Sequence, residues 1–297
     1  MSKRALAILA ALGATTIYGL NHTIAKGVMP MYVKPFGFIF LRVFGAAILF
    51  WGISFFGPKE KIDRKDWGRI LVCSILGMVI NMLAFFKGLD LSTPINSSVL
   101  VTITPIIVVI LSALLIKEKV TGQKALGILL GLIGALALIL FGAEIRQDAP
   151  NIPLGNTLFI LNSICFGSYL IVIKKLLEKY HPFTLMKWLF TIAVIINLPI
   201  TYSELSEIQW AELPIDALGA IAFVVIGTTF MTYLFNVFAL TQLKASTVSA
   251  FTYVQPLIGI LFAVLSGKDY LTGIKILAAS LVLLGVYLSS KRPKPRP

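Results

Sequence analysis

Residues 89–134 read LDLSTPINSSVLVTITPIIVVILSALLIKEKVTGQKALGILLGLIG, and residues 240–285 read LTQLKASTVSAFTYVQPLIGILFAVLSGKDYLTGIKILAASLVLLG. Setting Pro105 on Pro256 fixes an offset of 151 residues, and the whole block then aligns without a gap. Leu89 falls on Leu240, Ser98 on Ser249, Lys117-Glu118 on Lys268-Asp269, Thr121-Gly122 on Thr272-Gly273, Lys124 on Lys275 and Gly134 on Gly285. Each copy is an apolar run around a proline, a short basic-acidic turn closing on Thr-Gly, and a second apolar run. Such a repeat reads as a duplicated membrane unit.

The composition agrees. Of 297 residues 58% are hydrophobic and only 13% charged, with a mean hydropathy of +0.91, so there is too little polar side chain to cover a soluble globule. The net charge of +13 does not point to nucleic acid, because the lysines and arginines sit in short clusters between apolar runs instead of on one soluble face. Membrane lipid is the partner that this charge fits. Cys73 and Cys165 lie inside apolar runs and lack the partner spacing of a disulfide or metal pair, so they read as small core thiols. Lys3-Arg4 before an apolar run resembles a secretory signal. That run continues to about Lys26, and its Gly19 and Lys26 have counterparts in Gly167 and Lys174 at an offset of 148, which marks a retained first helix.

About 20 apolar residues cross the hydrocarbon as a helix. Runs of that kind lie near 5–27, 35–56, 68–88, 93–116, 122–142, 153–176, 183–201, 214–236, 245–266 and 271–290. They predict an all-α integral membrane protein of ten transmembrane helices, since the runs are continuously apolar and lipid forbids open sheet edges. With the N-terminus inside, most of the basic residues fall on the cytoplasmic side, and only Lys26, Lys34, Lys87, Arg146 and Lys268 of those in connecting segments fall outside. Both termini are therefore expected in the cytoplasm. Five is odd, so the second five-helix set enters from the opposite face and the repeats are inverted, 1–142 against 153–290. An external connection at 143–152 joins them, and a basic cytoplasmic tail at 291–297 follows. Inverted repeats meeting at mid-membrane suit alternating access. Of the longer loops, Tyr202–Leu213 is either a short surface helix with Trp210 at the interface or an ordinary loop.

The repeated block resembles the EamA family of the drug/metabolite transporter superfamily, with Pro105 and Pro256 in the fourth and ninth helices, Glu118 and Asp269 in the turns that follow, and Thr-Gly opening the fifth and tenth. Arg42, in Phe-Leu-Arg-Val-Phe-Gly, matches the arginine of that family's second helix, whereas the second unit offers Lys187-Trp188 and carries Asp269 in place of Glu. The resemblance implies ten helices, a cavity between the units, and export or exchange of a small metabolite, while Arg42 and the scarcity of buried acid point to an amino acid or related polar or anionic solute.

Polar groups at membrane depth mark candidate sites. Arg42 is the strongest, because a central arginine costs about 2.5–3.5 kcal/mol on insertion scales and needs a partner or water. It either holds a substrate anion or ties to backbone carbonyls. Asn21 and His22 either meet a solute or bond a neighbouring helix. Pro105 and Pro256 remove a donor and free the carbonyls of Val101 and Thr252 four residues back, so they mark helix kinks, with Thr102, Thr104, Tyr253 and Gln255 around them. Asn81, Tyr169, Tyr233 and Asn236, with Asn96 and Asn162, complete the candidate wall. Gly127-x-x-x-Gly131 packs either within the chain or between two copies, leaving a monomer or a weak homodimer.

No Asp or Glu falls mid-helix, which favours a facilitator or exchanger over a carboxylate-based proton relay and leaves His22 or a lysine to take a proton. No metal site or cofactor is expected, since a lone His22 is no metal site. A membrane-embedded enzyme is the alternative, but the chain lacks H-E-x-x-H, G-x-S-x-G and paired aspartates. A non-transporting scaffold or receptor is the other alternative. The cell membrane, plasma or inner, is the expected location.

Overall fold

The computed structural model describes residues 2–92, 94–118, 120–142, 150–265 and 272–290. Lys119, Arg146, Lys268, Asp269, the tail 291–297 and most of the 143–152 connection lie outside them. The regular structure of the described residues is entirely helical. In chain order it comprises α1 (Lys3–Val28), α2 (Pro35–Ser54), α3 (Arg64–Leu91), α4a (Pro94–Val101), α4b (Thr104–Leu115), α5 (Gly122–Gly142), α6 (Ile152–Leu177), α7 (Pro182–Ser206), α8 (Ile215–Gln242), α9a (Ala245–Ala250), α9b (Val254–Leu265) and α10 (Gly273–Ser290). Six of these, α1, α2, α3, α6, α7 and α8, are long and apolar enough to cross a membrane. Their outward faces carry exposed leucines, isoleucines and aromatics such as Leu9, Phe44, Ile48 and Ile195, as a bilayer-facing surface requires.

The sequence reading ends the seventh helix near residue 201, but α7 runs on to Ser206. Asn197 donates to the Ala193 carbonyl and Thr201 to that of Asn197, so side chains bridge the turn around Pro199. Beyond it, Trp210–Glu212 forms a single 3₁₀ turn with Trp210 exposed, in place of a surface helix.

The packing repeats as the sequence does. The main helix partners are α5 with α10, α2 with α7, α1 with α8, and α3 with α6. Replacing every helix by the one five places along returns the same set of pairs. Backbone irregularities repeat as well. α3 contains a π turn at Ile75–Ile80 and α8 one at Phe223–Met231. The fourth helix breaks after Val101, and the ninth passes through a 3₁₀ turn at Phe251–Tyr253. Both breaks sit just before Pro105 and Pro256, so the expected kinks are interruptions, each proline falling in the first turn of the segment that resumes.

Small residues set the closest approach. Gly127 and Gly131 face α10 of the same chain, and a Cβ on Gly285 would lie 2.4 Å from the Gly131 nitrogen and 2.6 Å from the Gly127 oxygen. That Gly-x-x-x-Gly pair is consumed within the chain. α2 is anchored at its start by Glu204, whose carboxylate accepts from the amides of Phe36 (2.6 Å) and Gly37 (3.2 Å).

At the other end of the bundle, Glu118 in the α4b–α5 turn accepts from Lys124 at 2.6 Å and from Ser246 at the start of α9a at 2.5 Å, with Lys244 at 3.9 Å. Burial alone would push its carboxyl up. The hydrogen bonds from Lys124 and Ser246 and the two lysine charges outweigh that, and hold it below the usual range.

The α5–α10 contact gives a direct test. In Gly285→Ala the new methyl meets backbone that cannot move aside, so thermal unfolding in detergent should show a large loss of stability or no folded protein. Gly122→Ala, with nothing within 4 Å of the added atom, should leave the midpoint unchanged or raised.

Candidate functional site

The irregular parts of α3, α4, α8 and α9 converge with α1, α2 and α6 on a central cavity of about 70 Å³. That is room for about five waters and far less than the roughly 300 Å³ at which ligand pockets begin. In this conformation the cavity is too small for a metabolite.

Arg42 enters from α2 and is 4% exposed. Its Nε donates to Thr229 at 2.8 Å, and its guanidinium lies 4.5 Å from the centroid of the Phe86 ring. A hydrogen bond from a charged group stabilises by about 1.5–3 kcal/mol and a desolvated cation–π contact by up to about 2, enough together to offset the insertion cost. Both contacts leave the charge itself uncancelled. No carboxylate lies within ion-pair reach of Arg42 among the described residues.

Its partner is set by the π turn of α8. Thr229 donates its hydroxyl proton to the Val224 carbonyl five residues back, at 2.8 Å, and accepts from Arg42. The π turn of α3 is served in a parallel way: the Tyr233 hydroxyl, from α8, donates to the Gly77 carbonyl at 2.6 Å. Asn81 and Asn162 exchange bonds, each amide donating to the other's backbone carbonyl at 3.3 and 3.0 Å, and so tie α3 to α6. Backbone groups that a regular helix would satisfy internally are thus met by side chains around the cavity.

His22 spans the two interrupted helices. With Gln255 Oε1 as acceptor at 3.2 Å, the proton is on Nε2, and Nδ1 accepts from the Ser97 hydroxyl at 2.9 Å. The imidazole also meets Phe85 edge-on, with centroids 5.5 Å apart. His22 thus bonds neighbouring helices through both nitrogens, and its ring lines the cavity.

Of the sequence candidates, Asn21, His22, Arg42, Asn81, Thr104, Tyr233 and Gln255 line the cavity, as does Asn162, and so do Val101 and Thr252, whose carbonyls the prolines were expected to free. Thr102 is buried in the α4 break, off the wall. Tyr169 packs against Gly77, Tyr253 against Gly131, and Asn236 lies beside Tyr18 behind the lining. Asn96 bonds Ser92 and faces elsewhere. Missed as candidates were Tyr18, Met82, Phe85, Phe166 and Thr228. The offset of 148 that pairs Lys26 with Lys174 also pairs Tyr18 with Phe166, a signal available in the sequence. Two buried polar atoms on the wall, Asn21 Oδ1 and Thr228 Oγ1, have no hydrogen-bond partner among the described residues. Among the described residues no cluster of three metal-binding side chains exists.

Residues 5–140 and 153–291 each match the EamA-like transporter family. The chain belongs to that family. It is 27% identical to an uncharacterized transporter of Archaeoglobus fulgidus over 92% of this chain and 94% of that one. It is 24% identical to the uncharacterized transporter YyaM of Bacillus subtilis over 79% and 76%. A WAT1-related protein of Arabidopsis thaliana is 24% identical over 91% of this chain and 79% of its own length. A solved crystal structure superimposes with a TM-score of 0.77 at 17% identity, over 98% of this chain and 96% of that one, which speaks to the fold. The EamA family match and the apolar helices make this a multi-pass membrane transporter.

The tyrosines separate a wall bond from plain packing. Tyr233→Phe strands the Gly77 carbonyl and should cost about 1–3 kcal/mol in denaturant unfolding. Tyr169→Phe removes a buried hydroxyl that has no partner and should be neutral or slightly stabilising. Equal losses in the two variants would contradict this account of the π turn.

Proposed function

We propose that this EamA-family transporter is an alternating-access carrier that exports or exchanges a small metabolite with an anionic group, an amino acid or a related polar solute, across the plasma or inner membrane. The carrying observation is Arg42, a buried guanidinium on the cavity wall held by a hydroxyl and a ring, with no acid within ion-pair reach among the described residues. A carboxylate would supply the missing charge through charge-assisted hydrogen bonds. Asn21 Oδ1, an acceptor without a donor on the same wall, suits an ammonium or amide at the solute's other end. Phe85, Phe166 and Met82 offer apolar surface to its side chain.

In this reading ten helices cross the bilayer, both termini are cytoplasmic, and 1–142 and 153–290 are inverted five-helix units. The exchange-symmetric pairing of helices supports it, as do the repeated π turns and breaks. So does the separate match of each half to the family. A cavity this small has to enlarge before a metabolite enters, as a carrier passing between open states requires. The protein acts as a carrier and not as an enzyme: its cavity groups are suited to holding a solute, with His22 bonded on both nitrogens.

Proteoliposomes loaded with labelled amino acids, nucleobases and small organic anions test this. At least one zwitterion or anion should exchange well above empty vesicles. Arg42→Ala should reduce its transport by about 10–100-fold, the equivalent of a lost charged hydrogen bond, with the protein still folded. Transport of no solute, or transport indifferent to Arg42, would overturn the proposal.

A further inference from the structure

We infer that Lys26 and Lys174 are matched positioning residues, latches on opposite membrane faces that hold the α3–α4 and α8–α9 hairpins closed, each releasing in its own half of the transport cycle. The inference rests on the carrier reading above. Lys26 of α1 and Lys174 of α6 correspond at the offset of 148. Lys26 Nζ donates to the Leu89 carbonyl at 2.9 Å, and Lys174 Nζ to those of Leu240 at 3.0 Å and Leu243 at 2.5 Å. Leu89 and Leu240 themselves correspond at the offset of 151. The same cation therefore meets the same carbonyl twice, at opposite ends of the bundle.

These carbonyls lie at the C-terminal ends of α3 and α8, where the last backbone acceptors have no intrahelical donor and the helix dipole favours a cation. No acid is within ion-pair reach of either lysine among the described residues, so the tip of each hairpin is what each ammonium holds.

A plain helix cap would need nothing more, but the hairpins are built to bend. Both arms of each are irregular near mid-length: the π turn of α3 and the break in α4, the π turn of α8 and the 3₁₀ turn before α9b. Those irregular stretches adjoin the cavity, through Asn81 and Val101 in one hairpin and Thr228 and Thr252 in the other. Tips tied by one lysine each and arms with a give point at the cavity form a gate. Both lysine contacts are made here. Each has support from the other half of the chain. The Asn151 amide donates to Leu91 and Ser92 donates to Asn156 at one tip, and Ser246 bonds Glu118 at the other. Removing a lysine should loosen its gate without abolishing the closed form.

The test uses Met82→Cys as a cavity reporter in a Cys73→Ser/Cys165→Ser background, with a membrane-impermeant maleimide applied to either face of oriented vesicles. Lys26→Met should raise labelling from the outside by about tenfold and lower it from the inside, and Lys174→Met should do the reverse. Lys→Arg at either site, which keeps a cationic donor, should restore most of the parent's pattern. Labelling that rises from both faces in both variants, or changes in neither, would leave the lysines as simple caps and overturn the inference. Opposite responses on exchanged faces would uphold the latches and overturn the proposed orientation instead. Activity lost with this face-selective pattern intact would place the failure in the carrier reading.

Discussion

Lipid offers no hydrogen bonds, so any backbone group released from a helix within the hydrocarbon must find a partner in the protein or in trapped water. Four helices here release such groups, and they do so in one region. The π turns of α3 and α8 and the interruptions of α4 and α9 border one cavity, and side chains on or behind its wall satisfy carbonyls of the two π turns. Tyr233 serves α3 from α8, Thr229 serves its own helix, and His22 joins the segments before and after the two breaks. A polar centre in an otherwise apolar bundle follows from that constraint, and it is also what a solute would bind.

Arg42 adds charge to this centre. It reaches the π turn of α8 through Thr229, so the residue best suited to hold an anion is mechanically joined to a helix that can flex. Recruiting a solute carboxylate to the guanidinium would compete with the Thr229 contact and alter the support of the turn. In the proposed carrier, recognition and movement would share an atom, Thr229 Oγ1, and the inferred latches would carry that coupling to the two faces.

Much of the architecture was legible because membrane helices are long apolar runs and the duplication is gapless through Pro105 and Pro256. Prolines placed the interruptions, and intramembrane Arg, Asn, His and Gln placed most of the wall. The π turns were not legible. Ile75–Ile80 and Phe223–Met231 contain no proline and read as uninterrupted apolar helix, since one extra residue per turn leaves no mark on hydropathy. Helix rotation was the other obscured quantity. Tyr169 and Tyr253 have the composition of wall residues, yet each turns onto a glycine of another helix. Thr228 faces inward with nothing in a single sequence to fix its azimuth, whereas Tyr18 and Phe166 pair at the offset of 148. The end of α7 was misplaced because the apolar run gives out near residue 201, while the backbone stays helical through the polar residues to Ser206.

The central claim is that the uncancelled charge of Arg42 selects an anionic group in the cavity. Thermal stability of the purified transporter in the presence of a panel of α-amino acids and of their carboxamides tests this most directly, since a ligand that binds only the folded state raises the unfolding temperature with its concentration. At least one amino acid should stabilise the protein while its carboxamide, alike in side chain and ammonium but without the carboxylate, does not, and Arg42→Ala should remove the difference. Equal stabilisation by an amino acid and its carboxamide, or a difference that survives loss of the guanidinium, would contradict the account.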